Sequence, residues 1–130
     1  MSTSDGTAPT VEPWQVAEDL AIRFCNLLQD NMDWDTVSPQ DWRGRAVSAM
    51  TTAAEAGTRF SEVFAEAARK LQIDTTLVKT DGELAALTDA LADPAVFDEF
   101  TTVLRTQAVY IVPMTKIRRD AAKAEKRLTR

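Results

Sequence analysis

The chain has 130 residues and a net charge of −5, with 45% hydrophobic and 27% charged residues, which fits one soluble domain with a modest core. It has no histidine and one cysteine, Cys25, so it lacks the commonest general base and cannot form an intrachain disulfide or a thiolate zinc site. No apolar run approaches the ~20 residues needed to cross a bilayer, and the N-terminus does not resemble a signal peptide; we expect a cytoplasmic protein without membrane contact.

The first helix is predicted from Pro13 to about Asn31, after a Ser/Thr/Gly/Pro-rich stretch over residues 1–11 that we expect to be a disordered tail. Its apolar residues recur every three or four positions, as on one face of a helix: Ala17, Ala21, Phe24 and Leu28. Cys25 lies on this helix without a histidine to activate it, so we interpret it as a core residue.

The stretch "VSPQDWRG" over residues 37–44 predicts the start of a second helix. Ser38 is a favourable N-cap, Pro39 suits the first helical position, and Asp41 completes a sequence similar to a capping box. Val37 and Trp42 have the spacing of a hydrophobic staple. The local signals therefore place Trp42 inside a helix.

Trp42-Arg43-Gly44 resembles the Trp-x-Gly tripeptide of the small secreted helical-hairpin proteins of type VII secretion systems. In that family the tripeptide forms the turn between two helices, and a Tyr-x-x-x-Asp/Glu export signal lies near the C-terminus. Here the capping signals predict a helix at the tripeptide, and Tyr110 is followed by Met114 at the export spacing. The resemblance covers three residues.

We expect one long second helix from Pro39 to Leu71, because apolar residues keep steps of three and four from Met50 onward. This heptad-like seam has two interpretations. It packs on the first helix of its own chain, or it forms an interface with a partner through Met50, Gly57, Phe60 and Phe64.

Two further helix starts follow. Thr80 to Glu83 has the Thr-x-x-Glu pattern of a capping box, and Asp93-Pro94 combines a cap with a first-turn proline. Pro113 is expected to end or kink the last helix. The predicted fold is all-α: a compact bundle of four to five helices over residues 12–112, with a long second helix, followed by a basic C-terminal helix or tail over 113–130.

The charge is divided unevenly along the chain. Residues 116–130 contain seven Lys or Arg and two Asp or Glu, a net +5, whereas residues 1–115 contain eight and eighteen, a net −10. The basic residues are able to meet phosphate oxygens, and no aromatic residue lies among them for base stacking. The candidate nucleic-acid contacts are Lys116, Arg118, Arg119, Lys123, Lys126, Arg127 and Arg130.

These features predict a non-catalytic helical subunit that binds nucleic acid or a nucleoprotein assembly with low sequence specificity. The alternative is a protein-interaction adaptor, or an oligomerising helical protein that uses the seam. A tail lying on an anionic membrane is the weakest interpretation, because its apolar stripe, mainly Ile117 and Leu128, is thin. The four glycines are scattered and form no phosphate-binding loop. Together with the lack of histidine and the single cysteine, this leads us to expect no catalytic residue, metal site or cofactor.

Overall fold

In a computed structural model, the protein is described over residues 12–33 and 38–128, and side chains are described in those ranges except at residues 13, 39 and 114–128. The chain forms five α-helices and one short 3₁₀ helix, without strands in these ranges. The predicted all-α class is therefore confirmed. The α-helices are α1 (Pro13–Asp30), α2 (Pro39–Ala56), α3 (Phe60–Leu71), α4 (Asp81–Ala90) and α5 (Pro94–Leu128); the 3₁₀ helix spans Thr75–Leu77.

Local capping signals define the starts of the first two helices. At α1, Glu12 and Gln15 form a reciprocal capping box, in which the Gln15 Oε1 accepts a hydrogen bond from the Glu12 N–H at 3.0 Å. At α2, the Ser38 hydroxyl oxygen accepts from the Asp41 N–H at 3.3 Å and donates to the Asp41 carboxylate at 3.0 Å. The predicted Ser38 cap is thus confirmed. The staple partner Val37 lies outside the described residues.

The Trp42-Arg43-Gly44 tripeptide lies within the first turns of α2. Trp42 is buried, with 1% of its surface exposed, whereas Arg43 and Gly44 are exposed. The tripeptide is therefore helical, as the capping signals predict, and does not form the turn between helices that the secreted hairpin proteins place there.

The single long second helix is wrong, because the chain leaves helical geometry at Gly57 and re-enters it at Phe60. Gly57 has extended backbone (φ −122°, ψ 154°), and a Cβ built on it would lie 2.7 Å from the Glu62 Cβ. The absence of a side chain lets α2 and α3 approach closely at this corner. The apolar residues keep their spacing of three and four across the break, because α3 begins at Phe60, three residues after Gly57.

The predicted capping box at Thr80 is not formed. Thr80 has left-handed backbone (φ 59°) and makes no side-chain capping hydrogen bond. Glu83 instead forms a two-pronged ion pair with Arg23 of α1, with the Arg23 Nη2 2.5 Å from Glu83 Oε1 and the Nε 3.4 Å from Oε2. This hydrogen bond raises the pKa of the Arg23 guanidinium. The local pattern assigns the Glu83 carboxylate to the helix cap, but it is bound instead by Arg23, 60 residues earlier in the chain.

The last helix continues through Pro113 to Leu128. Of the two predicted effects of the proline, the end of the helix is therefore wrong, and the kink stays a prediction. With 35 residues, α5 has nearly twice the 18 residues of α1 or α2, which corresponds to about 52 Å against about 27 Å. The division into a domain over 12–112 and a basic segment over 113–130 stays a prediction, with helical backbone crossing the boundary.

Three phenylalanine rings from three helices meet at the centre of the core. Phe24 of α1, Phe60 of α3 and Phe100 of α5 lie 5.4–5.9 Å apart between centroids, each pair edge to face at 61–77°. Each ring is at most 2% exposed. This geometry suits the aromatic quadrupole and adds to the stabilisation from burial, so the trio joins the chain's beginning, middle and end.

Candidate nucleic-acid interface

The candidate interface is the part of α5 beyond Pro113. Its backbone is helical to Leu128, the side chains of 114–128 are outside those described, and Arg130 lies outside the described residues altogether. Helical register still assigns positions, since successive residues turn by about 100°. Lys116, Arg119, Lys123, Lys126 and Arg127 fall within an arc of about 100°, whereas Arg118 falls outside it.

The residues predicted to form a partner interface do not lie on an exposed surface. Met50, Phe60 and Phe64 are buried within the chain at 0%, 2% and 7% exposure, and Gly57 is half-buried at the end of α2. Phe60 contacts Phe24 of the first helix and Phe100 of the last. The seam therefore packs inside its own bundle, with its α2 part chiefly on α3 and α5 rather than on the first helix as expected. This burial argues against the role in partner binding, which stays a prediction.

A second group of cations lies on the bundle, where sequence reasoning did not place a site. A shallow cleft of about 290 Å³ between α2 and α3 is lined by Gly44, Arg45, Ser48, Ala49 and Lys70. Neither Arg45 nor Lys70 forms an ion pair within 4 Å among the side chains described. Arg and Lys side chains and a serine hydroxyl are all groups that donate hydrogen bonds to phosphate oxygens.

The neighbouring Arg69 has a different environment. It donates two hydrogen bonds to the Glu66 carboxylate, at 2.6 and 3.1 Å. The hydrogen bond from Arg69, assisted by the charges of Arg69 and Lys70, lowers the pKa of Glu66. Only Lys70 of this pair lines the cleft.

The sequence does contain a signal for this cleft. Four of the eight Lys and Arg residues before residue 116 come as close pairs, Arg43 with Arg45 and Arg69 with Lys70. The pairs lie 24 or more residues apart, so only the packing of α2 on α3 brings Arg45 and Lys70 to one cleft. In an otherwise acidic body, such pairs indicate local positive potential.

No group of three or more Cys, Asp or Glu residues in the described part is placed to hold a metal ion. Cys25 is fully buried in the core, as interpreted from its place on α1. Within the described ranges, no helix is both long enough and apolar enough to cross a membrane.

Comparisons with known proteins add no relative: no protein-family model, no curated protein and no solved structure matches the chain.

Proposed function

We propose that the protein is a small, non-catalytic, cytoplasmic helical subunit that binds nucleic acid or a nucleoprotein assembly through the basic C-terminal part of α5. The observation that carries the proposal is the continuity of α5 through Pro113 to Leu128. In a continuous helix, five of the seven basic residues of this part share one face. From Lys116 to Arg127 this face extends over about 17 Å, which suits contacts with several successive phosphates.

The charge distribution supports the same proposal. A net +5 over residues 116–130 stands against a net −10 over the rest of the chain. The acidic bundle repels a polyanion, so binding is confined to the basic face and, at most, the small cleft between α2 and α3. Contacts made by Lys and Arg to phosphates carry little sequence information, so low specificity is expected.

Fluorescence anisotropy with labelled single- and double-stranded DNA and RNA at 50 and 200 mM salt tests the proposal. If five cations meet phosphates of double-stranded DNA, the slope of log affinity against log salt is about −4.5, and affinity falls about 500-fold over this range. Neutralising Lys116, Arg119 and Lys123 to Gln reduces the slope by about 3.

The matched control neutralises three exposed cations of the bundle, Arg59, Lys79 and Arg105, to Gln. It changes the net charge by the same amount and is expected to retain the wild-type salt slope. Absence of binding at 50 mM salt contradicts the proposal, and so does an equal loss of affinity in both triple variants.

A protein-interaction adaptor is the second candidate function, and the exposed apolar surface of α5 favours it. Tyr110 and Val109 are 67% and 45% exposed, immediately before the basic part. A packed helix interface responds weakly to salt, so binding to a partner helix is distinguished from phosphate binding by the same salt comparison.

A further inference from the structure

An apolar stripe on α5 turns away from the bundle core. In the first half of α5, Phe100, Leu104, Ala108, Ile111 and Val112 are each at most 2% exposed. By register, Tyr110 and the apolar positions after it are rotated from the centre of that group by about a third of a turn. Tyr110, at 67% exposure, confirms the rotation with a described side chain. The bundle of the same chain therefore leaves this stripe uncovered at Tyr110.

The stripe has the spacing of a coiled-coil seam. Steps of four, three, four, three and four residues lead through positions d, a, d, a, d and a of successive heptads. The uninterrupted backbone of α5 over these positions keeps them on one side of the helix. The six positions are Tyr110, Met114, Ile117, Ala121, Ala124 and Leu128.

Charged residues flank this stripe in a pattern that selects its partner. Arg118 and Glu125 occupy the e positions, and Asp120 and Arg127 occupy the g positions. The two acidic residues of the segment thus both lie beside the seam. Four basic residues, Lys116, Arg119, Lys123 and Lys126, fall at the outer c and f positions. Flanking e and g charges determine partner and orientation in coiled coils.

We propose that the part of α5 from Tyr110 to Leu128 pairs with the same segment of a second copy as an antiparallel coiled coil. Reversing one helix brings e opposite e and g opposite g. With Ala121 opposite Ala124 of the other copy, Arg118 meets Glu125 and Asp120 meets Arg127 across the two edges. The two-fold axis repeats both, so four oppositely charged pairs form.

The parallel arrangement is disfavoured by the same residues. In a parallel dimer a g residue meets the e residue five positions later in the partner. Asp120 would then face Glu125, and two pairs of like charge would form. The alanines at two seam positions permit a close approach of the helices but bury little surface, so association in the micromolar range or weaker is expected.

The antiparallel dimer separates the two bundles and leaves the outer basic residues free. Its midpoint lies between residues 122 and 123, about 16 Å along α5 from Val112, the last buried residue of the described side chains. The proposal does not depend on nucleic-acid binding, because the dimer is formed by the seam and its e and g positions, whereas four of the five cations of the basic face lie at c and f positions. Arg127, at a g position, is the one residue of that face that the dimer also uses.

Sedimentation velocity of the full chain over a range of concentrations to about 1 mM, at about 0.15 M salt, tests the proposal. The wild-type protein is expected to show a reversible monomer–dimer equilibrium. R118E and E125R each convert two attractive pairs to repulsive ones and are expected to weaken the dimer about tenfold. The double variant R118E/E125R restores the attraction and the wild-type affinity.

These substitutions do not create or break an ion pair within the same helix, because Arg118 and Glu125 have no charged residue three or four positions away along it. K123E provides a matched control, since it makes the same charge change as R118E at an outer position and is expected to leave the dimer intact. Strengthening by E125R indicates a parallel dimer and overturns the proposal. A wild-type monomer at all concentrations, or failure of the double variant to recover, overturns it as well.

Discussion

The side-chain amide of Asn31 pairs with the backbone of Lys79, 48 residues later in the chain. The Lys79 N–H donates to the Asn31 Oδ1 at 2.6 Å, and the Asn31 Nδ2 donates to the Lys79 carbonyl at 3.3 Å. The same Nδ2 also donates to the Leu27 carbonyl at 2.8 Å, in the last turn of α1. Asn31 thus both terminates α1 and attaches the segment between α3 and α4 to it.

Replacing Asn31 with Ala removes all three hydrogen bonds. Because Asn31 is only half-buried, water replaces part of the loss, and we expect a decrease of about 1–2 kcal/mol in the free energy of unfolding. Urea denaturation measures it, and faster hydrogen exchange of the Lys79 amide locates it. Asn26→Ala, on the same helix and also half-buried, is the control. An equal decrease in both variants would contradict the role assigned to Asn31.

The glycine at the corner between α2 and α3 gives a second prediction. A Cβ at Gly57 would lie 2.7 Å from the Glu62 Cβ and 3.0 Å from the Val63 backbone nitrogen. Gly57→Ala therefore forces the two helices apart, and we expect a loss of about 1–3 kcal/mol in stability. The atoms in the way are backbone or directly attached to it, so a change of rotamer does not relieve the contact.

Gly44→Ala is the matched control for this corner. Gly44 lies inside α2, and no neighbouring atom lies within 4 Å of the added Cβ. The substitution is expected to stabilise the protein by about 0.5–1 kcal/mol through helix propensity. Urea denaturation of the two variants should therefore give shifts of opposite sign. A Gly57→Ala protein as stable as wild type would show that the corner has room for a side chain.

The helix starts were predictable from sequence and the helix break was not, for a physical reason. Pro13, Pro39 and Pro94 each begin a helix. The fixed φ angle of proline suits the first helical turn, and this preference depends only on residues close by in the sequence. The break at Gly57 depends on the approach of Glu62 and Val63, and apolar spacing keeps its phase across it. Apolar periodicity shows which residues face the core, and it does not show whether the helix between them is continuous.

The candidate basic surface can be predicted from sequence, whereas the cleft and the contacts between distant residues cannot. A run of Lys and Arg after residue 115 is visible as composition. The pairing of Asn31 with Lys79, of Arg23 with Glu83, and of Arg45 with Lys70 in one cleft depends on the tertiary packing of helices. Glu83 shows the competition directly, because its local pattern predicts a cap and a residue 60 positions away takes the carboxylate.

The phenylalanine trio gives a third prediction. Phe60→Ala removes a ring that is 2% exposed and that contacts both Phe24 and Phe100, so we expect a loss of about 3–5 kcal/mol. Phe97→Ala is the comparison, since Phe97 is only half-buried and its ring lies 6.4 Å from Phe100. Its effect on the urea midpoint should be clearly smaller. Equal effects would mean that the trio is not the centre of the core.

The acid stability of the corner at Gly57 gives the last prediction. The Glu62 carboxylate accepts hydrogen bonds from the Thr58 N–H at 2.7 Å and from the Thr58 hydroxyl at 3.1 Å. These hydrogen bonds lower the pKa of Glu62 from its ordinary value of 4.5, and the bond from the Thr58 backbone N–H has the larger effect. A carboxyl group with a lowered pKa in the folded state stabilises that state above the unfolded pKa and loses its contribution as pH falls through the folded pKa.

Wild-type protein should therefore lose stability as pH falls from about 5, and Glu62→Gln should lose less over the same range. Thr58→Val removes only the hydroxyl donor and keeps the backbone one, so its pH dependence should lie between the two. Urea denaturation at pH 7 and at a series of lower pH values measures all three proteins. If Glu62→Gln follows the wild-type curve through the acid range, the hydrogen bonds from Thr58 do not contribute to stability, and the close approach at Gly57 alone holds the corner.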